Sequence, residues 1–161
     1  LAAAVLTGLL RPMLDAVNMV SAPAIARERN ISVTESKNEQ PGDYETLIRL
    51  TVKTERQERS VSGTLFGGTR ARVVNIKGID IEAELSPHML YIANKDKPGV
   101  IGNLGNTLGG AGVNIATFHL GRDKPGGSAI ALVQVDQPIS PALMSKIGAV
   151  EGVVQAKALG F

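Results

Sequence analysis

At 161 residues, with 43% hydrophobic and 20% charged side chains, the chain is long enough for one ordinary domain or two small ones and reads as globular, not disordered. Its 17 basic and 15 acidic residues leave a formal charge of +2, too weak for a nucleic-acid face, and two Tyr, three Phe and no Trp offer little to stack on bases. The absence of cysteine excludes a disulfide framework and a thiolate metal site and fits a reducing cytoplasm, and no run of apolar residues is long enough to predict a membrane-spanning helix.

The opening Leu1-Ala2-Ala3-Ala4-Val5-Leu6 is apolar but lacks a basic leader, so it reads as the interior of a helix and the chain as a piece of a longer one. That helix is expected over Ala2 to Leu10, ended by Arg11-Pro12 because the residue before proline resists helix. A short strand is expected over Asp15 to Val20. Pro23 then suits the first turn of a second helix, which runs to Arg29 and stops at Asn30. A strand over Ile31 to Ser36 and a polar break over Lys37 to Asp43 follow.

Period-two alternation comes next. Ile48, Leu50 and Val52, then Val61, Gly63 and Leu65, then Val74 and Ile76 alternate with polar neighbours, and Gly78 turns the chain before Ile79-Asp80-Ile81. Antiparallel strands with one wet face have this pattern. Residues 1–86 thus form a small α+β unit, with a joint at Glu84 to Pro87. Beyond it the order is strand (88–94), helix (99–111), strand (114–122), strand (127–136), helix (140–149), strand (153–159). This is the βαββαβ ferredoxin-like arrangement, with both helices on one face and the other face left to pair. The fold class is α+β throughout.

Chemistry concentrates at Asp96-Lys97-Pro98-Gly99-Val100-Ile101-Gly102, where a strand turns into a helix, and at Gly112-Val113-Asn114 before the next strand. Backbone N–H groups of Val100 and Ile101, the Asp96 carboxylate and the Asn114 amide are expected around one small pocket at a helix N-terminus, suited to a small amino acid or carboxylate. Gly102, Gly105 and Gly109 share one helix stripe, each costing about 0.5–1 kcal/mol relative to Ala, so either close packing on the sheet or a neighbouring subunit or ligand is expected there.

This set on a βαββαβ pattern resembles the ACT domain, a regulatory module that binds amino acids. In that family the ligand commonly sits at the first strand–helix loop, often where two such domains pair edge to edge. The resemblance implies effector-binding positions at Asn94, Asp96, Pro98, Gly99, Val100, Ile101 and Asn114.

In the first half, Ser62-Gly63-Thr64-Leu65-Phe66-Gly67-Gly68 is followed by Arg70 and Arg72, which form either an anion seat or a hairpin with solvated arginines. Together with Val17-Asn18-Met19-Val20-Ser21-Ala22-Pro23 and Ala26-Arg27-Glu28-Arg29, in this order before the ACT-like unit, the string resembles the C-terminal regulatory half of long-form D-3-phosphoglycerate dehydrogenases. Ser21 and Asn30 depart from the Asn and Gly expected there. The resemblance implies an intervening, allosteric substrate-binding domain over 1–86 and an ACT domain over 87–161. It further implies L-serine as feedback effector, a phosphorylated substrate at Arg70 and Arg72, a homo-oligomer paired through ACT domains, and NAD in the parent enzyme.

The chain itself is expected to be non-catalytic and to hold no cofactor or metal. It lacks a Gly-x-Gly-x-x-Gly turn opening a helix, since Gly110-Ala111-Gly112 ends one, and His88 and His119 have no metal-ligand spacing. Two other readings remain open: the regulatory part of an iron–sulfur L-serine dehydratase, which has a similar two-module layout, and an oligomerisation module that binds no ligand.

Overall fold

The computed structural model describes residues 1–38 and 43–161, so the centre of the expected polar break, 39–42, lies outside the described residues. By contacts the chain divides into two compact units, Leu1–Pro41 and Gly42–Phe161.

The first unit holds α1 (Ala2–Leu10), a 3₁₀ turn over Arg11–Met13 and α2 (Ala22–Glu28). Leu6, Leu10, Val17, Ala22 and Ala26 form its buried core. The strand expected over Asp15 to Val20 is absent: the Asn18 carboxamide accepts from the N–H groups of Val20 (2.9 Å) and Ser21 (3.0 Å), and this local turn replaces a ladder. Asn30 does stop α2, at φ 56°, and the Ile31 N–H reaches back to Ala26 O at 2.8 Å. Ile31 to Ser36 is likewise not a strand, because among the described residues no neighbouring strand supplies hydrogen bonds to it.

The second unit has two four-stranded sheets. Strands β1 (Leu47–Lys53), β2 (Glu58–Phe66), β3 (Arg70–Ile76) and β4 (Ile79–Glu84) form an antiparallel meander in that order. Its tightest turn, Lys77-Gly78, has positive φ at both residues, as a two-residue hairpin requires. The second sheet comprises β5 (Met89–Lys95), β6 (Ile115–Arg122), β7 (Ser128–Val135) and β8 (Val153–Leu159), ordered β6-β7-β5-β8. Helices α3 (Val100–Gly110) and α4 (Pro141–Gly148) complete the βαββαβ order. Leu90, Ile92, Ala131 and Val133 of the sheet bury against Leu104 and Leu108 of α3 and Leu143 and Ile147 of α4. The Ser140 hydroxyl caps α4 by accepting from the Leu143 N–H at 3.2 Å.

The face opposite the helices is not left open, which corrects the expectation that it stays available for pairing. Ile79, Ile81 and Ala83 of β4 bury against Met89, Ile130 and Leu132. Every second residue of β4 is apolar and buried, so this strand has a second sheet to cover. Gly121 on β6 is the closest approach: a Cβ there would collide with the Asp80 carbonyl and lie 2.8 Å from Ile79 Cγ2. The sheets are further tied by Lys77 Nζ donating to the Tyr91 hydroxyl (2.8 Å) and Gln134 Nε2 donating to Glu84 O (3.0 Å). The segment Glu84 to Pro87 thus lies inside one compact unit.

Candidate functional site

β5 delivers the chain into the loop Asp96 to Gly99, and α3 leaves it. The loop is fastened to the β6–β7 hairpin. The Asp96 N–H donates to Gly127 O (2.9 Å), and its Oδ2 accepts from Arg122 Nη1 (2.9 Å) and the Gly126 N–H (3.0 Å). The Gly126 N–H, and after it the Arg122 guanidinium, hold the Asp96 carboxyl below the ordinary carboxylate range. Asp96 is therefore ionised at neutral pH.

Asp96 does not cap α3; Gly99 occupies the cap position with φ 90°. A Cβ on Gly99 would meet nothing within 4 Å, so the backbone there is open to an approaching group. Pro98 beside it is exposed and has no N–H. The α3 ladder starts at the Asn103 N–H, bonded to Gly99 O at 2.9 Å, and among the described residues the N–H groups of Ile101 and Gly102 make no backbone bond. The Val100 N–H, expected free at the pocket, turns back to Lys97 O (3.5 Å), and its side chain is in the core and packs on the Gly152 turn. The Ile101 side chain is exposed.

Of two further expected pocket members, Asn94 lies beside the loop near the end of β5, and Asn114 stands elsewhere. Asn94 is buried, and its Nδ2 donates to Lys95 O at 2.8 Å. Asn114 precedes β6 at the opposite end of the sheet from Arg122, and its Nδ2 donates to Asp136 Oδ2 at 2.8 Å. Seven strand steps at about 3.3 Å put the two ends of β6 roughly 23 Å apart. One chain therefore does not gather Asp96 and Asn114 around one pocket, a correction that follows from β5 and β6 running parallel on either side of β7. The glycine stripe of α3 is open as well: a Cβ at Gly102, Gly105 or Gly109 would meet nothing within 4 Å, so packing on the sheet does not account for it.

On the first sheet, the Arg72 guanidinium lies 4.6 Å over the Phe66 ring and is paired with Glu82, while its Nε is buried without a partner. Arg70 starts β3 opposite Phe66 and is exposed. The register places Thr64 opposite Arg72 and Ser62 opposite Arg49, whose Nε donates to the Ser62 hydroxyl at 3.4 Å. Ser62 and Thr64 are both buried. Arg49 is a residue the sequence reading missed, because only the β1–β2 register reveals that it shares a face with Arg72.

The family described as the D-3-phosphoglycerate dehydrogenase intervening domain matches residues 1–77, and the ACT domain matches residues 88–152. Proteins named D-3-phosphoglycerate dehydrogenase match almost the whole chain. That of Archaeoglobus fulgidus is 36% identical over 95% of this chain and 29% of its own length. That of Bacillus subtilis is 34% identical over 96% and 30%, and that of Synechocystis 34% over 97% and 28%. The chain belongs to the D-3-phosphoglycerate dehydrogenase family.

It spans under a third of the length of these relatives and corresponds to the regulatory part of the family, the intervening and ACT domains. The Arg72 face belongs to the intervening domain, and the Asp96 loop to the ACT domain. Neither glycine-bearing end of α3 has the strand-to-helix fingerprint of a dinucleotide site: the β5–α3 turn has the single glycine Gly99 between strand and helix, and Gly110-Ala111-Gly112 leads out of α3 into β6. Among the described residues no group of three or more His, Cys, Asp or Glu is placed to hold a metal ion, and no helix is long and apolar enough to cross a membrane.

Proposed function

We propose that this chain is the feedback-sensing part of a D-3-phosphoglycerate dehydrogenase, binding L-serine at its ACT domain. The remaining length of such an enzyme would carry the NAD-dependent oxidation of 3-phosphoglycerate, the first step toward serine, and this part alone performs no chemistry. The observation that carries the reading is the Asp96 to Gly99 loop. An ionised carboxylate, an open glycine and unclaimed N–H groups at the start of α3 can receive the ammonium and the carboxylate of one small amino acid.

Asn114 enters the site from a second copy. Among the described residues β6 is a sheet edge, with no strand paired along one side. Two copies pairing antiparallel along β6 bring the start of one β6, beside Asn114, next to the end of the other, where Arg122 holds Asp96. The open glycine stripe of α3 leaves room for a neighbouring backbone. The functional unit is accordingly a homodimer through ACT domains, in the cytoplasm. Serine then acts on the rest of the enzyme only through its differential affinity for two states, typically about 1–3 kcal/mol of coupling. Arg72, with Arg70 and Arg49, is proposed to take the phosphoryl group of a substrate at the intervening domain, Nε of Arg72 being the unsatisfied donor.

Titration calorimetry with L-serine, against L-alanine and glycine, tests the sensor. Saturable heat specific to serine and lost in Asp96→Ala is expected. No heat at millimolar serine from a folded, dimeric sample would leave the chain as an oligomerisation module without a ligand.

A further inference from the structure

We propose that Arg122 is a positioning residue for the effector loop, holding the Asp96 carboxylate by one oxygen and leaving the other to a ligand's cationic group. This rests on the effector-site reading above. Oδ2 of Asp96 accepts both the Arg122 guanidinium and the Gly126 N–H, whereas among the described residues Oδ1 accepts no hydrogen bond. A carboxylate tethered through one oxygen keeps a fixed rotamer and a spare acceptor, which is what recognition of an ammonium requires.

Stability does not explain the pair. The Arg122 side chain is 54% exposed, and ion pairs that open to water contribute little to folding. What the pair fixes is position. Arg122 closes β6 one residue after Gly121, where β4 crosses so closely that no side chain fits. Its Cα is therefore set by the packing of two sheets and not by a loop. The hairpin beyond it is braced as well, Asp123 Oδ1 accepting from the N–H groups of Lys124 (2.6 Å) and Ser128 (2.8 Å). The loop thus takes its geometry from the sheet edge that the proposed dimer uses, and through Gly121 from β4 of the first sheet.

The test compares the wild-type chain with Arg122→Met and Arg122→Lys, reading serine affinity by calorimetry and the Asp96 titration by carboxyl-carbon NMR. Met should weaken serine binding at least about tenfold and move the Asp96 midpoint up toward the ordinary aspartate range. Lys, which keeps a charged donor, should recover affinity to within about threefold of wild type. Serine binding by the Met variant within twofold of wild type, or equal losses in the Met and Lys variants, would overturn the role of Arg122 and leave the serine reading intact. Failure of the wild type itself to bind serine would overturn both, and is told apart because no variant is needed to see it.

Discussion

In the ACT sheet the central strand β7 is buried on both faces, under α3 and α4 on one side and β4 on the other, whereas β1 of the intervening sheet is exposed along most of its length. Pairing is antiparallel in both sheets, so hydrogen bonding does not make the difference. What differs is the number of covered faces. The ACT sheet has its own helical layer, while the first sheet buries its apolar residues mainly where β4 lies on the ACT domain. Its burial is therefore largely borrowed from its neighbour, and decreases from β4 outward to β1.

The largest expected effect is in the ACT core. Leu104→Ala removes a side chain that is 1% exposed and should cost about 2–5 kcal/mol in urea unfolding. Hydrogen-exchange protection should fall in both sheets together, because the first depends on the second. Undiminished protection in β2 to β4 of this variant would show that the first sheet stands alone. Gly121→Ala asks the converse. The added methyl meets backbone, which yields less readily than a side chain, so a cost near the upper end of the overpacking range, about 3 kcal/mol, is expected. Here exchange should rise in β3 and β4 well before β5 and β8. Ile48→Ala, on the exposed β1, should change stability by no more than about 0.5 kcal/mol, and a larger loss would mean that β1 is covered in solution.

The same contrast explains what was legible in the sequence. The ACT elements are bounded by local chemistry: Ser140-Pro141 opens a helix, positive-φ glycines close turns at Gly112, Gly126 and Gly152, and apolar stripes mark the core. Expected and observed limits there agree to within a residue at every end, and β8 agrees at both. The strands expected over Asp15 to Val20 and Ile31 to Ser36 failed because local residue types favour an extended chain without saying whether a partner strand lies beside it. In the site, the Asp96 to Gly99 loop is local and was legible. The Arg122 tether, 26 residues away, the distance of Asn114 and the presence of Arg49 beside Ser62 are consequences of register, which spacing along the chain does not encode.

The smallest expected effect is the pH dependence of the Asp96 tether, and it separates the two ends of the ACT sheet. The folded carboxyl is held below its ordinary range, first by the Gly126 N–H and then by Arg122, so the unfolded chain takes up the proton more readily than the folded one. Stability from this group is thus fully present above the unfolded value, near about 4, and is lost as pH falls through the lower folded value. The gap in urea midpoint between wild type and Asp96→Asn should be constant from neutral pH down to about pH 5 and close below about pH 4. Asn114→Ala, at the other end of β6, should show no such closure attributable to Asp96, since its partner Asp136 lies in a separate pair. A gap for Asp96→Asn that persists unchanged at pH 3 would mean that the carboxylate's charge is not what fastens the loop to the hairpin, and that the backbone bond from Asp96 to Gly127 suffices.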